Sequence, residues 1–244
     1  MAISPRLFKR FYPDSSKDGT LYFYGLLHKH VAVACRILNL GAGPGDKPGS
    51  AAFSLRDLRG AGWRVCGCDL DPEVLRNAQL DEARVMEADG RIPYEDGAFD
   101  LIFADYVLEH VENPKLCFME VYRVLKPGGY FFFRTPNLYH YVGIAARLLP
   151  HSMHDRIANR VRNLGEDAHD PYPTFHRMNT RKALRRLARQ AGLSQVDLSM
   201  FEGEPSYLVF NKAAFLIGVA YERTVNKLNC LQGFRANIMG RIMK

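Results

Sequence analysis

The apolar residues of this chain fall into short continuous runs separated by amphipathic stretches, and the alternation is regular between residues 36 and 136. "RILNL" (36–40), "WRVCGCDL" (63–70), "ARVMEAD" (83–89), "FDLIFAD" (99–105) and "YFFFRTP" (130–136) read as five strands. The fourth is apolar almost throughout, as a central parallel strand covered on both faces must be. One helical stretch follows the first strand. Asp71 caps a second over "PEVLRNAQ", with Pro72 at its first position, where the missing N–H costs nothing. A third opens at Asn113-Pro114 and runs through Leu125, with Leu116, Met119, Val121 and Val124 apolar, until "KPGG" (126–129) ends it. Strands and helices alternating at these lengths predict an α/β fold, a doubly wound and mainly parallel sheet with helices on both faces.

The flanks keep a different rhythm. Residues 1–35 read as a polar lead and a helix near "TLYFYGLLHKHVAVA", with Thr20 as its cap. After Pro136 the alternation breaks. Residues 137–178 hold an apolar helical stretch, "YVGIAARLL", and then a polar run rich in His, Arg and Asp, which together read as a cap inserted after strand 5. A helix over 179–192 follows, capped by Asn179 or Thr180, with Leu184, Leu187, Ala188 and Ala191 as its stripe and Gly192 as its stop. "SQVDLSM" (194–200) alternates like a half-buried strand, and the last 40 residues read as mostly helical. "YLVF" (207–210) is either a last antiparallel strand or the first turn of a tail helix. The expected organisation is thus a helical lead (1–35) covering the binding face, a central domain (36–204) and a basic amphipathic helical tail (205–244).

Charge adds an asymmetry. The net charge is +7 over 244 residues, but residues 1–140 hold 17 Lys/Arg against 18 Asp/Glu, and residues 141–244 hold 16 against 8. Such an excess marks either an anionic partner or a solvated basic face. In "PSYLVFNKAAFLIGVAYERTVNKLNCLQGFRANIMGRIMK" (205–244) six basic residues and Glu222 accompany apolar runs. Helices of that make-up either lie on an anionic bilayer or pack on the core or on a second copy in a homodimer. The five cysteines are an odd number, and Cys66 and Cys68 are one residue too close for a CxxC site, so reduced thiols and a cytoplasmic location are expected. The N-terminus lacks the apolar core of a signal peptide. No uninterrupted apolar run approaches the ~20 residues of a membrane span.

The candidate chemistry gathers at the strand ends. "ILNLGAGPGD" (37–46) places Gly41, Gly43 and Gly45 directly behind the first strand, where glycine permits a tight turn and close backbone approach to a ligand. Asp46-Lys47-Pro48 follows, which is not the Gly-Lys-Ser/Thr ending of a phosphate-binding loop, and a dinucleotide turn wants its third glycine two residues further on. A cofactor without a pyrophosphate remains. Asn39 and the glycines follow strand 1, Asp69 strand 2, Asp89 strand 3 and Asp105 strand 4, all at carboxyl ends, where open α/β sheets bind ligands. Asp69 suits two ribose hydroxyls, and Asp89 an exocyclic amine.

In these residues the chain resembles the class I S-adenosylmethionine-dependent methyltransferases, of the type 11-like family. The resemblance is carried by "ILNLGAGPG", "VCGCDLDPEVL", "MEADGRIPYEDGAFDLIFADYVLEHVENP" and "VYRVLKPGGYFFFRTPN". It implies a Rossmann-like sheet and S-adenosylmethionine as cofactor. Gly41, Ala42, Gly43 and Gly45 would pass beneath the methionine moiety. Asp69, with Leu70, would meet the ribose; Ala88, Asp89 and Gly90 would meet the adenine; Asp105, with Tyr106, would meet the amino-acid end. Asn39 departs from the pattern, which usually has Asp or Glu there.

Methyl transfer is an in-line displacement in which positioning supplies much of the rate and a base deprotonates a hydroxyl acceptor. Histidine is the natural base near neutral pH. Six histidines lie between 110 and 176, and His110, His140 and His176 are the best placed as catalytic residues; His151 and His154 read as solvated loop. Some relatives in RNA 2′-O-methylation and in ubiquinone pathways carry an E-x-x-E-H metal motif. Here Tyr106 replaces the first Glu while Glu109-His110 remains, and a site completed by a distant histidine such as His176 is a metal alternative to the metal-free reading. The expected acceptor is a small-molecule, glycan or lipid-linked hydroxyl. RNA is the second reading, against which no dense basic patch with interleaved aromatics is legible. A non-catalytic cofactor-binding module is the third.

Overall fold

β1 (Arg36–Leu40) is the third of seven strands in the sheet of a computed structural model, which describes residues 3–31, 36–60, 63–148 and 172–244. Its neighbours are β2 (Arg64–Asp69) and β4 (Phe99–Asp105), both parallel to it, in the registers Ile37–Val65 and Ile37–Leu101. β3 (Glu82–Val85) extends the sheet parallel to β2, and β5 (Leu125–Pro136) lies parallel to β4. Phe99, Leu101, Ile102, Phe103 and Ala104 of β4 are all buried, so that strand is covered on both faces, as its composition required.

Two more strands close the order β3-β2-β1-β4-β5-β7-β6: β6 (Ser194–Phe201) and β7 (Asn237–Met243). β7 is antiparallel to β5, because Gly128 and Gly129 exchange hydrogen bonds with Lys244 at one end while the Asn137 N–H donates to Ala236 at the other. The tail is mostly helical, as its sequence reads, and this strand is the exception. The last antiparallel strand is "NIMGRIM", not "YLVF", whose first residues form a 3-10 turn (Ser206–Leu208). Gly240 lets β7 cross Phe133 of β5, since a Cβ there would enter that ring.

The helices follow their caps. α1 (Pro5–Phe11) starts at Ser4, whose hydroxyl accepts from Leu7 N–H. α2 (Gly19–Val31) is capped by Asp18, which accepts from Thr20 and Leu21, so Thr20 is inside the helix and not its cap. α3 (Ala51–Arg56) is short. The expected helix behind Asp71 is one 3-10 stretch, Pro72–Arg76, with the cap as expected. α4 (Pro114–Val124) is capped by Asn113, and β5 begins at Leu125, earlier than the glycines suggested, with a register shift opposite Phe99–Leu101. α5 (Tyr141–Leu148) matches the apolar stretch behind β5, while His151 and His154 lie outside the described residues. α6 (Arg181–Gln190) is capped by Thr180, and α7 (Lys212–Lys227) by Asn211.

The chain divides into two compact units that cut across the expected boundaries. One comprises Met1–Tyr22, Pro136–Pro173 and Met200–Asn237; the other comprises Phe23–Thr135, Thr174–Ser199 and Ile238–Lys244. The second holds most of the sheet and every strand end that carries a candidate cofactor residue. In the first, Tyr12, Phe215 and Val219 form a core with Leu7, Phe8 and Phe11 around them, so α1 packs on α7.

Candidate active site

The turn behind β1 is held from three sides. Gly41 and Ala42 donate to the Cys68 carbonyl of β2. Gly41 has φ +70°, and a Cβ there would fall 2.5 Å from Val107 Cγ2, so both conformation and space demand glycine. Asp69 fastens the turn from above: one carboxylate oxygen accepts from Gly43 N–H at 2.8 Å and the other from Asp71 N–H at 3.0 Å. A carboxylate has about four acceptor positions, so Asp69 keeps one on each oxygen for a ligand.

Two buried amides hold the turn from below. The Asn77 amide donates to the Ala42 and Gly43 carbonyls, both at 3.1 Å, and its oxygen accepts from Gln79 N–H. Gln79 accepts from Asp46 N–H and donates to Phe53 carbonyl, tying the end of the turn to α3. Neither amide is signalled by the sequence, because both follow the 3-10 stretch in what reads as an ordinary helix.

Beside this turn lies a cavity of about 240 Å³. Asn39, Gly41, Ala42, Gly45 and Asp105 line it, as the sequence reading expected, together with Tyr24 of α2 and Arg56 of α3, which it did not single out. The cavity therefore carries one cation and two carboxylates on its walls, Arg56 being paired with Asp46 at 3.2 Å. Asp105 is itself paired: Arg134 of β5 donates through Nε at 2.6 Å and Nη2 at 2.7 Å, and the guanidinium is 2% exposed. That guanidinium lies 4.4 Å from the ring centre of Tyr106, whose φ is +56°. A non-glycine residue there costs of order 1–3 kcal/mol, and such strain clusters at functional sites. Burial and the Asp105 carboxylate raise the Tyr24 phenol, keeping it protonated.

The remaining expected residues divide. Ala88, Asp89 and Gly90 form an exposed turn after β3, in which Asp89 accepts from Arg91 N–H at 2.9 Å. Leu70 is 56% exposed next to Asp69. These and Gly43, Asp69 and Tyr106 do not line the cavity. His110 and His176 are brought together, since Phe175 and His176 both donate backbone N–H groups to the Glu109 carbonyl. His140 sits in the other unit, buried, with Nε2 3.4 Å from Glu202 and its ring against Tyr141.

Glu109 itself is buried. Thr135 donates to its carboxyl at 3.0 Å and in turn accepts from Asn179 at 2.7 Å. Burial pushes this carboxyl up to about 7. Among the described residues no group of three or more His, Cys, Asp or Glu could hold a metal ion.

Residues 38–133 match the "Methyltransferase domain" family model. A demethylmenaquinone methyltransferase of Thermus thermophilus is 36% identical over 101 residues, 38% of this chain and 44% of that protein. A ubiquinone biosynthesis O-methyltransferase of Burkholderia ambifaria is 31% identical over 144 residues, 52% of this chain and 59% of that protein. The chain thus spans about half the length of these curated relatives. A SAM-dependent methyltransferase from Archaeoglobus fulgidus shares the fold, with a TM-score of 0.54 over 98% of this chain and 99% of that one, at 12% identity.

Residues 38–133 therefore carry a methyltransferase domain. S-adenosylmethionine is the cofactor of this domain.

Proposed function

We propose that this protein transfers a methyl group from S-adenosylmethionine to a hydroxyl oxygen of a small-molecule, glycan or lipid-linked acceptor. The observation that carries the reading is the glycine turn, held by Asp69 above and Asn77 below, beside a cavity with Arg56 and Asp105 on its walls. When bound, the cofactor supplies an already activated methyl on a sulfonium. The chain's part is to bind, orient and move one proton.

Charges of both signs on one cavity suit a zwitterion: the Arg56 donors that its Asp46 pair leaves over for a carboxylate, Asp105 for an ammonium. Arg134 fixes the Asp105 carboxylate in one orientation through its bidentate pair. Asp69, with Leu70 beside it, is assigned to the ribose through its remaining acceptor positions, and the turn at 88–90 to the adenine. His110 and His176, joined through the Glu109 carbonyl, are the candidates for the base that takes the acceptor proton. His140, buried beside Glu202, is not assigned that role. A hydroxyl acceptor is supported by the O-methyltransferase among the relatives.

Calorimetric titration of S-adenosylhomocysteine tests the cofactor site. Asp69→Ala removes charged hydrogen bonds worth roughly 1.5–3 kcal/mol each, so affinity should fall at least about tenfold. Unchanged affinity would sink the assignment. For the base, pH–rate profiles of His110→Ala and His176→Ala with the first hydroxyl acceptor that turns over decide. The variant lacking the base should lose about 10²–10⁴-fold in rate. Full turnover in both would exclude a histidine base at these positions.

A further inference from the structure

We propose that the paired helices α1 and α7 form a docking surface for an anionic lipid bilayer. This goes beyond the methyl-transfer reading and does not depend on the acceptor.

The burial of α7 is inverted. Its inward face carries Phe215, Gly218, Val219, Glu222 and Val225, so its only acid is inside. Glu222 is satisfied there by Lys17 at 3.1 Å and by Asn226 at 2.6 Å. The outward face carries Ala213, Leu216, Ile217 and Ala220, at helical spacing, with Lys212, Arg223 and Lys227 at its margins. Ile217 is 68% exposed, and Phe210, just before the helix, is 49% exposed. An outward apolar ridge of this kind on a polar protein marks an interaction site.

α1 continues the surface. Its Phe8 and Phe11 rings pack on Phe215 of α7, and Arg223 lies 5.4 Å over the Phe11 ring. Arg6, Lys9 and Arg10 are exposed, and α1 has no acidic residue. Of the described acids of this unit outside the helices, only Asp14 is exposed. Asp14 and Asp18 accept from backbone N–H groups of their own turns, Glu202 is buried, and Glu204 is partly covered.

Charge decides what covers this face. A second copy placed against it would press Arg6, Lys9, Arg10, Lys212 and Arg223 on the same cations. An anionic bilayer complements them and takes up the apolar ridge. No helix among the described residues is long and apolar enough to cross a membrane, so the contact is with the surface. The basic helix α6 differs: its apolar side chains Leu184, Leu187 and Ala188 are buried and only polar and cationic residues are exposed.

Flotation of the full chain with phosphatidylcholine vesicles, with and without phosphatidylglycerol, tests the proposal. The protein should float only with phosphatidylglycerol and be released by raised salt. Leu216→Ser/Ile217→Ser and Lys9→Glu/Arg10→Glu should each weaken binding about tenfold or more, while Arg185→Glu/Arg186→Glu on α6 should not. All three variants should keep wild-type affinity for S-adenosylhomocysteine, which separates this result from any failure of the cofactor reading. Ile217→Ser alone serves if the double variant misfolds. The proposal is overturned by a wild type that stays with the bulk solution, or by ridge variants that float like wild type. A dimer in sedimentation that the ridge substitutions dissolve would overturn it equally.

Discussion

Glu109 holds its proton to about pH 7, whereas an exposed glutamate releases it near 4.5. Folded protein therefore binds more protons than unfolded protein between those values, and stability falls as pH rises through the window. The stabilising contribution is complete below about 4.5 and is lost through 7, about 3 kcal/mol in full. Glu109→Gln keeps an acceptor for Thr135 and cannot titrate. Urea denaturation should show the variant gaining on wild type by about that amount between pH 5 and pH 8; a difference independent of pH would mean that Glu109 is ionised when folded. At this scale the residues legible in advance were those whose chemistry shows at a strand end, Asp69 and Asp105. Arg56, Asn77, Gln79 and Arg134 were not, because nothing local distinguishes them from a solvated arginine or a helical amide.

Among the elements, the final strand departs furthest from its sequence. "NIMGRIM" contains a mid-segment glycine and an arginine, and it follows a helix in a basic tail, so local pattern favoured helix. Position in the sheet overrode this: β7 fills the slot between β5 and β6, where its backbone groups find partners on both sides. Gly240 is the residue that fits it there. Gly240→Ala would push a methyl into the Phe133 ring, and overpacking of this kind costs about 1–3 kcal/mol. Thermal unfolding should show the loss, and an unperturbed midpoint would argue against this register of β7 on β5. The caps tell the opposite story. Asn113, Thr180 and Asp71 act where the sequence put them, because a cap needs only neighbours a few residues away.

For the whole molecule, the charge excess beyond residue 140 acquires an address. Part lies on α6, where the apolar side is spent on the core, and part on α7, where an apolar ridge faces out. The sequence treated residues 205–244 as one amphipathic tail. The structure separates them into a helix with an exposed ridge, a 3-10 stretch (Asn229–Phe234) and a strand inside the sheet, and that strand is not available to a membrane. The vesicle experiment belongs to this scale, because the surface it tests is made by two segments about 200 residues apart, brought together by Phe8, Phe11 and Phe215.

What the sequence alone determined was whatever short-range physics controls: the five parallel strands, most caps, the glycine turn and the acids that end the strands. These follow from periodicity, backbone conformation and hydrogen bonds within a few residues, and with them the methyltransferase class was already readable. The tertiary structure decided the rest. It set Asn77 and Gln79 beneath the turn, Arg134 against Asp105, His176 beside Glu109 and the last strand inside the sheet. Each of these joins residues distant in the chain, and no local pattern encodes which of many arginines, amides or apolar segments will meet a given partner once the core has formed.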